Sequence, residues 1–215
     1  KAHDMIPCCV QNDMTLLART EDTFFNGRIK VLQHREGYRF SIDAVLLAAF
    51  SAPVAEDRIV DLGTGCGIIP LILGHRHLSA SITGIEIQPE LAALAVQNVE
   101  ANGLIERVTI ICGDIRFLSI QDVSGPVDLV VSNPPYRKDR SGRVNPHPQR
   151  AVARHEILAT LQDVTDAAAR LLGIGGRFAI VYPAERITDL LTNLRSAGIE
   201  PKHIQTVHAQ AHDPG

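Results

Sequence analysis

Four consecutive residues, Asn133-Pro134-Pro135-Tyr136, place an amide, two stiff rings and an aromatic side chain at the end of the apolar run Val127–Val131. The side-chain oxygen of Asn133 and the carbonyl oxygen of Pro134 could each accept one hydrogen of a planar amino group. Such contacts return the lone pair to the nitrogen and aim it at an electrophile. The ring of Tyr136 could stack on a base, a contact worth about 1–3 kcal/mol. We therefore predict that Asn133, Pro134 and Tyr136 are catalytic; the alternative is a Pro-Pro turn beside a buried tyrosine.

A glycine-rich motif upstream, Asp61-Leu62-Gly63-Thr64-Gly65-Cys66-Gly67, also follows an apolar segment. Its spacing departs from the Gly-x-Gly-x-x-Gly pattern of dinucleotide-binding loops, because residue 68 is isoleucine. Asp61 would repel a phosphate but would suit a cation, such as the amino group of the methionine half of S-adenosylmethionine. Glycines let the backbone approach a ligand closely. The motif therefore favours a methyl-donor loop (Asp61, Gly63, Thr64 and Gly65) over a dinucleotide loop or a simple tight turn.

Two further acids, Glu86 and Asp114, stand at the ends of the next two predicted strands. Glu86, which Ile87 follows, could accept hydrogen bonds from both hydroxyls of a ribose. Asp114 could accept from the amino group of an adenine while Ile115 covers the ring. With Asn133, which we also place at the cofactor, these residues complete the predicted cofactor site. The alternatives are an exposed charge at a strand end for Glu86 and a helix cap for Asp114.

The segment 137–154, which follows the catalytic motif, carries six basic residues and one acid in a chain whose net charge is −3. Its prolines, glycine and serine indicate a loop. A basic loop beside Asn133 is suited to grip a phosphate backbone. A base in an RNA loop is also easier to reach than a paired base, which must be flipped out. We predict RNA contacts for Arg137, Lys138, Arg140, Arg143, Arg150 and Arg154; the alternative is a solvated surface loop.

Segments that are apolar on both faces alternate with helix signals from Arg58 onward, as in a parallel sheet covered by helices on both sides. We therefore predict an α/β fold with a doubly wound, mostly parallel sheet. Helices are expected at Ile42–Phe50, from Pro89 to the Asn102-Gly103 stop, and along the apolar stripe from Ile157 to Leu172. Six strands are expected, without a further antiparallel strand after them. The predicted strands are Arg58–Leu62, Ser81–Ile87, Arg107–Cys112, Val127–Val131, Arg177–Tyr182 and Lys202–His208.

The first part of the chain predicts an extension ahead of this core. Arg28–Gln33 and Tyr38–Ser41 flank the residues His34-Arg35-Glu36-Gly37 and predict a β-hairpin, which the helix Ile42–Phe50 follows. We expect residues 1–56 to form this hairpin-and-helix extension and to cover the cofactor site. Residues 57–215 are then expected to form the core.

The composition predicts one hydrophobic core in a protein that dissolves in water. A chain of 215 residues with 45% hydrophobic composition can bury one sizeable core. The net charge excludes a globally basic nucleic-acid binder but not a local basic face. Four cysteines without metal-ligand spacing predict reduced thiols and no metal site. We find neither an apolar run of about 18 residues nor a signal-peptide centre, so we expect a cytoplasmic protein, whose oligomeric state stays open.

The motif Asn133–Tyr136, the basic loop after it and the stretch Ala153-Arg154-His155-Glu156 resemble bacterial methyltransferases that modify the adenine amino group next to the anticodon of a valine tRNA. The segment from Gly37 to Leu47 resembles that family's region ahead of the first core strand, and the resemblance covers residues 20–208. It implies a class I, Rossmann-like methyltransferase fold, S-adenosylmethionine as cofactor and tRNA as the favoured substrate. It also implies that Phe40 and Asp43 close over the methionine half of the cofactor. His155 is then a base or ligand, or a helix-start residue that holds the catalytic loop.

Other proteins could use the same motifs. A guanine amino group in rRNA and the glutamine amide of a release factor both fit a site built on Asn133. The glutamine enzymes carry a helical domain ahead of the core, where this chain predicts a hairpin and one helix. The third alternative is a non-catalytic RNA-binding scaffold that kept the fold, against which the intact Asn133 and Glu86 argue.

Overall fold

The computed structural model describes residues 19–35, 41–77, 79–135 and 159–208, and it begins with an antiparallel hairpin. Strand β1 (Arg19–Phe24) pairs with strand β2 (Ile29–His34) along their full length. Between them Asn26 and Gly27 have φ angles of 58° and 79°. This left-handed conformation is the one that Asn-Gly hairpin turns adopt, so the turn residues set the pairing.

The predicted partner of β2 is wrong. We expected Arg28–Gln33 to pair with Tyr38–Ser41, but the observed partner, β1, precedes β2 in the chain. The residues of β1 up to Thr23 are all polar and none is fully buried. The strand therefore lacks the apolar alternation by which a strand is recognised in a sequence. Residues 38–40 lie outside the described residues, and Ser41 is the N-cap of the next helix.

A five-stranded parallel sheet forms the centre of the described chain. Its strands are β3 (Arg58–Leu62), β4 (Ser81–Glu86), β5 (Val108–Cys112), β6 (Val127–Ser132) and β7 (Leu172–Ile180). In space their order is β5-β4-β3-β6-β7. The chain runs outward from β3 to β5 and then returns to β6 on the other side of β3. Ligand sites of such sheets form at this reversal.

Helices cover both faces of this sheet, as predicted. They are α1 (Ile42–Phe50), α2 (Ile68–Arg76), α3 (Pro89–Ala101), α4 (Leu161–Leu171) and α5 (Ile187–Ser196), with a 3-10 turn at Ala184–Arg186. On one face Val31 of β2 and Leu47 of α1 are buried in the same cluster as Ile59. On the other face Leu171 of α4 is buried with Val60. Neighbouring strand residues point to opposite faces, so the hairpin and α1 share one core layer with the sheet.

The helix limits follow the predicted signals closely. α3 begins at Pro89, and Gly103 just beyond its end has a φ angle of 66°. α4 begins after Thr160, whose hydroxyl accepts from the N–H of Asp163 at 3.1 Å. The Asp163 carboxylate accepts in return from the N–H of Thr160 at 2.8 Å. This capping box fixes the start of α4; Ile157, where we expected the helix to begin, lies outside the described residues.

Strand β7 begins earlier than predicted. We expected Arg177–Tyr182, whereas the strand starts at Leu172 and ends at Ile180. Glycine is unfavourable in strands, so the glycines at 173, 175 and 176 give no strand signal in the sequence. Pairing with β6 outweighs this preference. The register of the pairing shifts between Val127 and Leu129, which accommodates the irregular stretch of β7.

The predicted sixth strand, Lys202–His208, is not a strand. Residues 202–208 are all exposed, including Ile204 and Val207, which are each 61% exposed. Their apolar side chains bury nothing against the sheet, so no packing energy favours a strand there. The sheet therefore has five strands within the described residues. In the same part of the chain, no helix has the length and apolar character needed to cross a membrane.

Candidate active site

Three segments meet at the carboxyl edge of the sheet. Leu62, the last residue of β3, is paired with Ile85 of β4 on one side and with Ser132 of β6 on the other. The glycine-rich loop, Glu86 and Asn133 therefore leave the sheet at neighbouring positions. The structure thus brings together three parts of the predicted site that lie far apart in the sequence.

The glycine-rich loop, residues 63–67, turns sharply after β3. Gly63, Gly65 and Gly67 have φ angles of 77°, 57° and 84°, in the left-handed region that favours glycine. The N–H groups of Gly63 and Thr64 both donate to the carbonyl of Ile85 at 2.9 Å, which ties the loop to β4. Among the described residues, no atom lies within 4 Å of the point where a Cβ of Gly63 would stand. This side of the loop is open to a ligand.

Asp61 is completely buried at the start of this loop. Its Oδ2 accepts from Thr64 Oγ1 at 2.6 Å, whereas its Oδ1 has no hydrogen-bond partner among the described residues. Burial raises the pKa of Asp61 from 3.8 to about 7, the Thr64 hydrogen bond opposes this rise, and the charge of Glu86 adds to it. A buried carboxyl group with a spare oxygen requires a donor or a cation. The loop can therefore hold a positively charged ligand.

Glu86 is 5% exposed, so the alternative of an exposed charge at a strand end is wrong. Its Oε2 accepts from the N–H of Gly65 at 2.9 Å, and its Oε1 accepts from the N–H of Gln88 at 2.9 Å. A carboxylate oxygen can accept two hydrogen bonds, so each oxygen keeps capacity for a hydroxyl group. Ile87 beside it is half-buried. The Gly65 bond joins the two cofactor motifs directly.

Asp114 has a local partner that we did not predict. The side chain of Arg116 donates to both carboxylate oxygens, and the backbone N–H of Arg116 donates to Oδ1 at 2.9 Å. Hydrogen bonding from the Arg116 guanidinium holds the pKa of Asp114 below its usual range. Ile115 is 8% exposed and belongs to the core cluster of Leu62 and Ile85. The carboxylate is therefore ionised and oriented by Arg116.

The predicted catalytic motif begins at a strand end that hydrogen bonds hold on both sides. Asn133 is half-buried, Pro134 is buried and Pro135 is exposed. The buried hydroxyl of Ser132 donates to the carbonyl of Leu62 at 2.9 Å, and its carbonyl accepts from the N–H of Val181 at 3.3 Å. Ser132 thus fixes the predicted catalytic motif against β3, the strand that carries the glycine-rich loop. A serine before a loop has no distinctive signal, so this role of Ser132 could not be predicted from the sequence.

Asp43 lies in the first turn of α1 and is half-buried. Its carboxylate accepts from the hydroxyl of Ser41 at 2.8 Å, and this hydroxyl accepts from the N–H of Asp43 at 3.3 Å. α1 packs against α2, the helix that follows the glycine-rich loop. The observed contacts of Asp43 are those of a helix start, placed on an element adjacent to the loop.

Several predicted residues cannot be located, because the structure does not describe them. They are Phe40 and Tyr136, the six basic residues Arg137, Lys138, Arg140, Arg143, Arg150 and Arg154, and His155.

Two residues beside the cofactor loop were missed from the sequence, although each left a signal. Gly84 lies inside β4, and a Cβ there would stand 2.9 Å from Thr64 Oγ1. A glycine within a strand often marks such a close approach. Asn98 is completely buried on α3, and its Nδ2 donates to the carbonyl of Cys66 at 2.9 Å. A polar residue among the apolar positions of a helix is a comparable signal.

Comparison with known proteins gives a consistent result. The family model described as methyltransferase small domain matches residues 42–194. A tRNA1(Val) (adenine(37)-N6)-methyltransferase of Porphyromonas gingivalis is 39% identical over 158 residues, which are 71% of this chain and 61% of that protein. A protein of the same name from Bacteroides fragilis is 33% identical over 159 residues, 74% of this chain and 66% of that protein. This chain therefore spans about two thirds or less of the length of these two relatives.

A solved structure is similar over most of the chain. The crystal structure of a SAM-dependent O-methyltransferase from Thermotoga maritima superposes with a TM-score of 0.52 and 27% sequence identity. The match covers 75% of this chain and 52% of the Thermotoga chain.

Proposed function

The chain belongs to the methyltransferase small domain family, and from this premise we propose that it transfers a methyl group from S-adenosylmethionine to the N6 amino group of an adenine in RNA. The favoured substrate is tRNA, at an adenine next to the anticodon. One observation carries the proposal: Asp61, Glu86 and Asn133 lie at adjacent strand ends, and the buried Oδ1 of Asp61 has no hydrogen-bond partner among the described residues. The reaction requires three parts: an acid that binds the cationic end of the cofactor, an acid that binds its ribose, and an amide that binds the amino group to be methylated.

The predicted class I methyltransferase fold is confirmed. The chain, whose parallel sheet has the order β5-β4-β3-β6-β7 with helices on both faces, superposes on the solved methyltransferase structure with a TM-score of 0.52. Fold alone does not define a reaction. The proposal therefore depends on the residues at the carboxyl edge of the sheet.

These residues fit S-adenosylmethionine. The spare oxygen of Asp61 would accept from the ammonium group of the methionine half, Glu86 would accept from the ribose hydroxyls, and the open side of Gly63 would admit the ligand. Asp114 would accept from the adenine amino group with the hydrogen-bond capacity that Arg116 leaves. Bound there, the cofactor supplies a methyl group on a positively charged sulfur. Desolvated carboxylates hold such a cation more strongly than exposed ones would.

The N-terminal extension is proposed to complete this site. We infer that residues 1–56 cover the cofactor and that Phe40 and Asp43 lie over its methionine half. Two contacts support this arrangement: α1 packs against α2, and β2 is buried in the same core layer as the sheet. The core then comprises residues 57–215.

Asn133 and Pro134 are proposed to bind the reacting amino group. The Asn133 side-chain oxygen and the Pro134 carbonyl each accept one N–H, which concentrates the lone pair on the nitrogen and orients it. Asn133 need not act as a base, because the methylated nitrogen is acidic and can lose a proton to water. Tyr136 would stack on the adenine ring. The Ser132–Leu62 hydrogen bond supports this role, since it holds Asn133 at a fixed distance from the cofactor loop.

The RNA is proposed to be gripped by the basic segment 137–154, which follows the catalytic motif directly. Its six cations would neutralise phosphates on either side of the target nucleotide. A nucleotide in the anticodon loop suits the site, because an unpaired base can enter without breaking a base pair. The names of the curated relatives support a tRNA.

A methyl-transfer assay on total tRNA tests the proposal. The protein is incubated with labelled S-adenosylmethionine and tRNA beside the variants Asn133→Ala and Asn193→Ala, and the labelled base is mapped. Asn193, on α5, donates to the carbonyl of Asp189, so its loss controls for removal of an amide outside the site. We expect label in N6-methyladenine near the anticodon, reduced about 10²–10³-fold by Asn133→Ala and unchanged by Asn193→Ala. Cofactor binding without labelled tRNA would overturn the substrate assignment and direct the search to rRNA or a protein glutamine.

A further inference from the structure

Helix α3 pairs with strand β2 through two asparagine side chains. Asn98 and Asn102 are one turn apart and face the same side. The N–H of Leu32 donates to Asn98 Oδ1 at 2.7 Å, and Asn98 Nδ2 donates to the Leu32 carbonyl at 3.0 Å. Asn102 repeats this pattern with Lys30, at 2.9 Å and 2.7 Å. The two amides occupy the hydrogen-bonding edge of β2 as a neighbouring strand would.

The two asparagines differ in what else they bind. Asn102 donates its remaining hydrogen to the carbonyl of Asn98, within its own helix, at 2.7 Å. Asn98 is completely buried and donates to the carbonyl of Cys66 at 2.9 Å, inside the glycine-rich loop. One buried side chain thus touches the hairpin and the proposed cofactor loop at the same time.

The Cys66 carbonyl needs this donor because it lies just ahead of helix α2. The first helical hydrogen bond runs from the N–H of Leu71 to the carbonyl of the N-cap residue Gly67, at 3.0 Å. The hydrogen bonds of the helix therefore do not reach the Cys66 carbonyl. The loop is also pressed against α3, since a Cβ on Gly67 would stand 3.2 Å from the Cβ of Ala95. Without Asn98 the Cys66 carbonyl would be buried and unpaired, and the loop would lose its fixed orientation.

We propose that Asn98 is a positioning residue for the cofactor site, which holds the Cys66 carbonyl and thereby couples the order of the glycine-rich loop to the hairpin β1–β2. This inference rests on the proposed function, because it concerns the binding of S-adenosylmethionine. The coupling runs in both directions: an intact hairpin orders the loop, and a bound cofactor stabilises the hairpin at Leu32.

Asn98→Leu and Asn102→Leu form a matched pair, because each removes the amide that pairs with β2 and only the first removes the Cys66 contact. Binding of S-adenosylmethionine is measured by calorimetry on the full chain, with circular dichroism to verify folding. We expect Asn98→Leu to raise the Kd about tenfold, as expected for the loss of one buried hydrogen bond, and Asn102→Leu to change it less than about twofold. Equal Kd values for wild type and Asn98→Leu would overturn the inference and leave the proposed function intact. A wild type that does not bind S-adenosylmethionine would overturn both.

Hydrogen exchange of the wild-type protein tests the role of Asn98 if the Asn98→Leu variant fails to fold. Amide exchange rates are measured by NMR with and without S-adenosylhomocysteine. We expect the ligand to slow exchange of the Leu32 N–H, which binds Asn98, at least about fivefold more than exchange of the Lys30 N–H, which binds Asn102. Equal effects on the two amides would show that the hairpin responds as a whole, and the role assigned to Asn98 would be wrong.

Discussion

At the scale of single residues, we expect the protonation state of Asp61 to control the binding of a charged ligand. The Asp61 carboxyl group is buried, one oxygen accepts from Thr64, and the other has no hydrogen-bond partner among the described residues. Ionisation is therefore costly, and the pKa of Asp61 is raised to about 7. Buried acids with perturbed pKa values concentrate at functional sites. The cost falls when a cation binds, so ligand affinity and folding stability are both linked to the protonation of this residue.

The affinity for S-adenosylmethionine is expected to depend on pH. Below about pH 7 the free protein holds a proton on Asp61, and a cationic ligand must displace it. The Kd therefore rises as the pH falls, by up to about tenfold per pH unit below 7, and levels off above pH 7. Calorimetry at pH 6, 7 and 8 in two buffers of different ionisation enthalpy measures both the Kd and the released proton. Asp61→Asn should bind weakly with no such pH dependence; a flat wild-type profile would refute the role of Asp61.

The same residue is expected to limit the stability of the ligand-free protein. Its folded pKa lies above the unfolded value of 3.8, so the folded state holds a proton that the unfolded chain releases. Stability from this group is therefore lost as the pH rises from about 4 to about 7. We expect Asp61→Asn to raise the free energy of unfolding at pH 8 by about 1–3 kcal/mol. Urea denaturation without ligand measures this, and a destabilised Asp61→Asn would contradict the account.

At the scale of elements, strand ends and their contacts hold the site. β3 carries the cofactor loop, and its two neighbours carry Glu86 and Asn133. The loop is bound to β4 through Ile85, to Glu86 through Gly65 and to α3 through Asn98. A small displacement of one of these strands should therefore displace the loop and weaken the binding of the cofactor.

Gly84→Ala tests this closeness. The added Cβ would stand 2.9 Å from both Thr64 Oγ1 and Ile110 Cδ1, so these side chains must shift, and we expect the hydrogen bond from Thr64 to Asp61 to weaken. We expect a loss of stability of about 1–3 kcal/mol and a weaker Kd for S-adenosylmethionine. Gly173→Ala is the matched control, since its Cβ would find ordinary contacts at 3.4 Å and beyond, in another strand. Denaturation and calorimetry measure both effects, and a Gly84→Ala variant that binds as wild type would show that Thr64 is not held by this contact.

At the scale of the whole molecule, charge is distributed unevenly. The net charge of the chain is −3, yet the segment 137–154 carries six cations and one acid. A protein that is acidic overall is repelled by RNA at a distance, so attraction must come from a local basic region. RNA affinity should therefore depend strongly on salt and on few residues.

The triple variant Arg137→Ala, Lys138→Ala, Arg140→Ala tests the RNA contact. The logarithm of the affinity falls linearly with the logarithm of the salt concentration. Each lost phosphate contact with single-stranded RNA makes this slope shallower by about 0.7. We expect a slope reduced by about 2 and an unchanged Kd for S-adenosylmethionine. The control Arg195→Ala removes a cation whose side chain is 70% exposed on α5. Fluorescence titrations at several salt concentrations measure the slopes, and equal slopes for wild type and triple variant would place the RNA elsewhere.

The sequence by itself determined the parts that depend on local chemistry. The α/β alternation, the start of α3 at Pro89, the turning glycines of residues 63–67 and the acid at Glu86 are all visible because neighbouring residues specify them. The family could also be recognised, since its motifs are short and contiguous. These features come from backbone preferences and from the period of apolar residues, neither of which requires knowledge of distant contacts.

Only the tertiary structure decided which distant groups meet. β1 became the partner of β2 although its residues are almost all polar, and residues 202–208 stayed outside the sheet because their side chains bury nothing. Arg116 orients Asp114, and Asn98 joins the hairpin to the glycine-rich loop. Such contacts depend on which buried donors and acceptors lie together after the sheet has formed. A buried polar atom takes a partner wherever the fold supplies one, and no local pattern in the sequence records that choice.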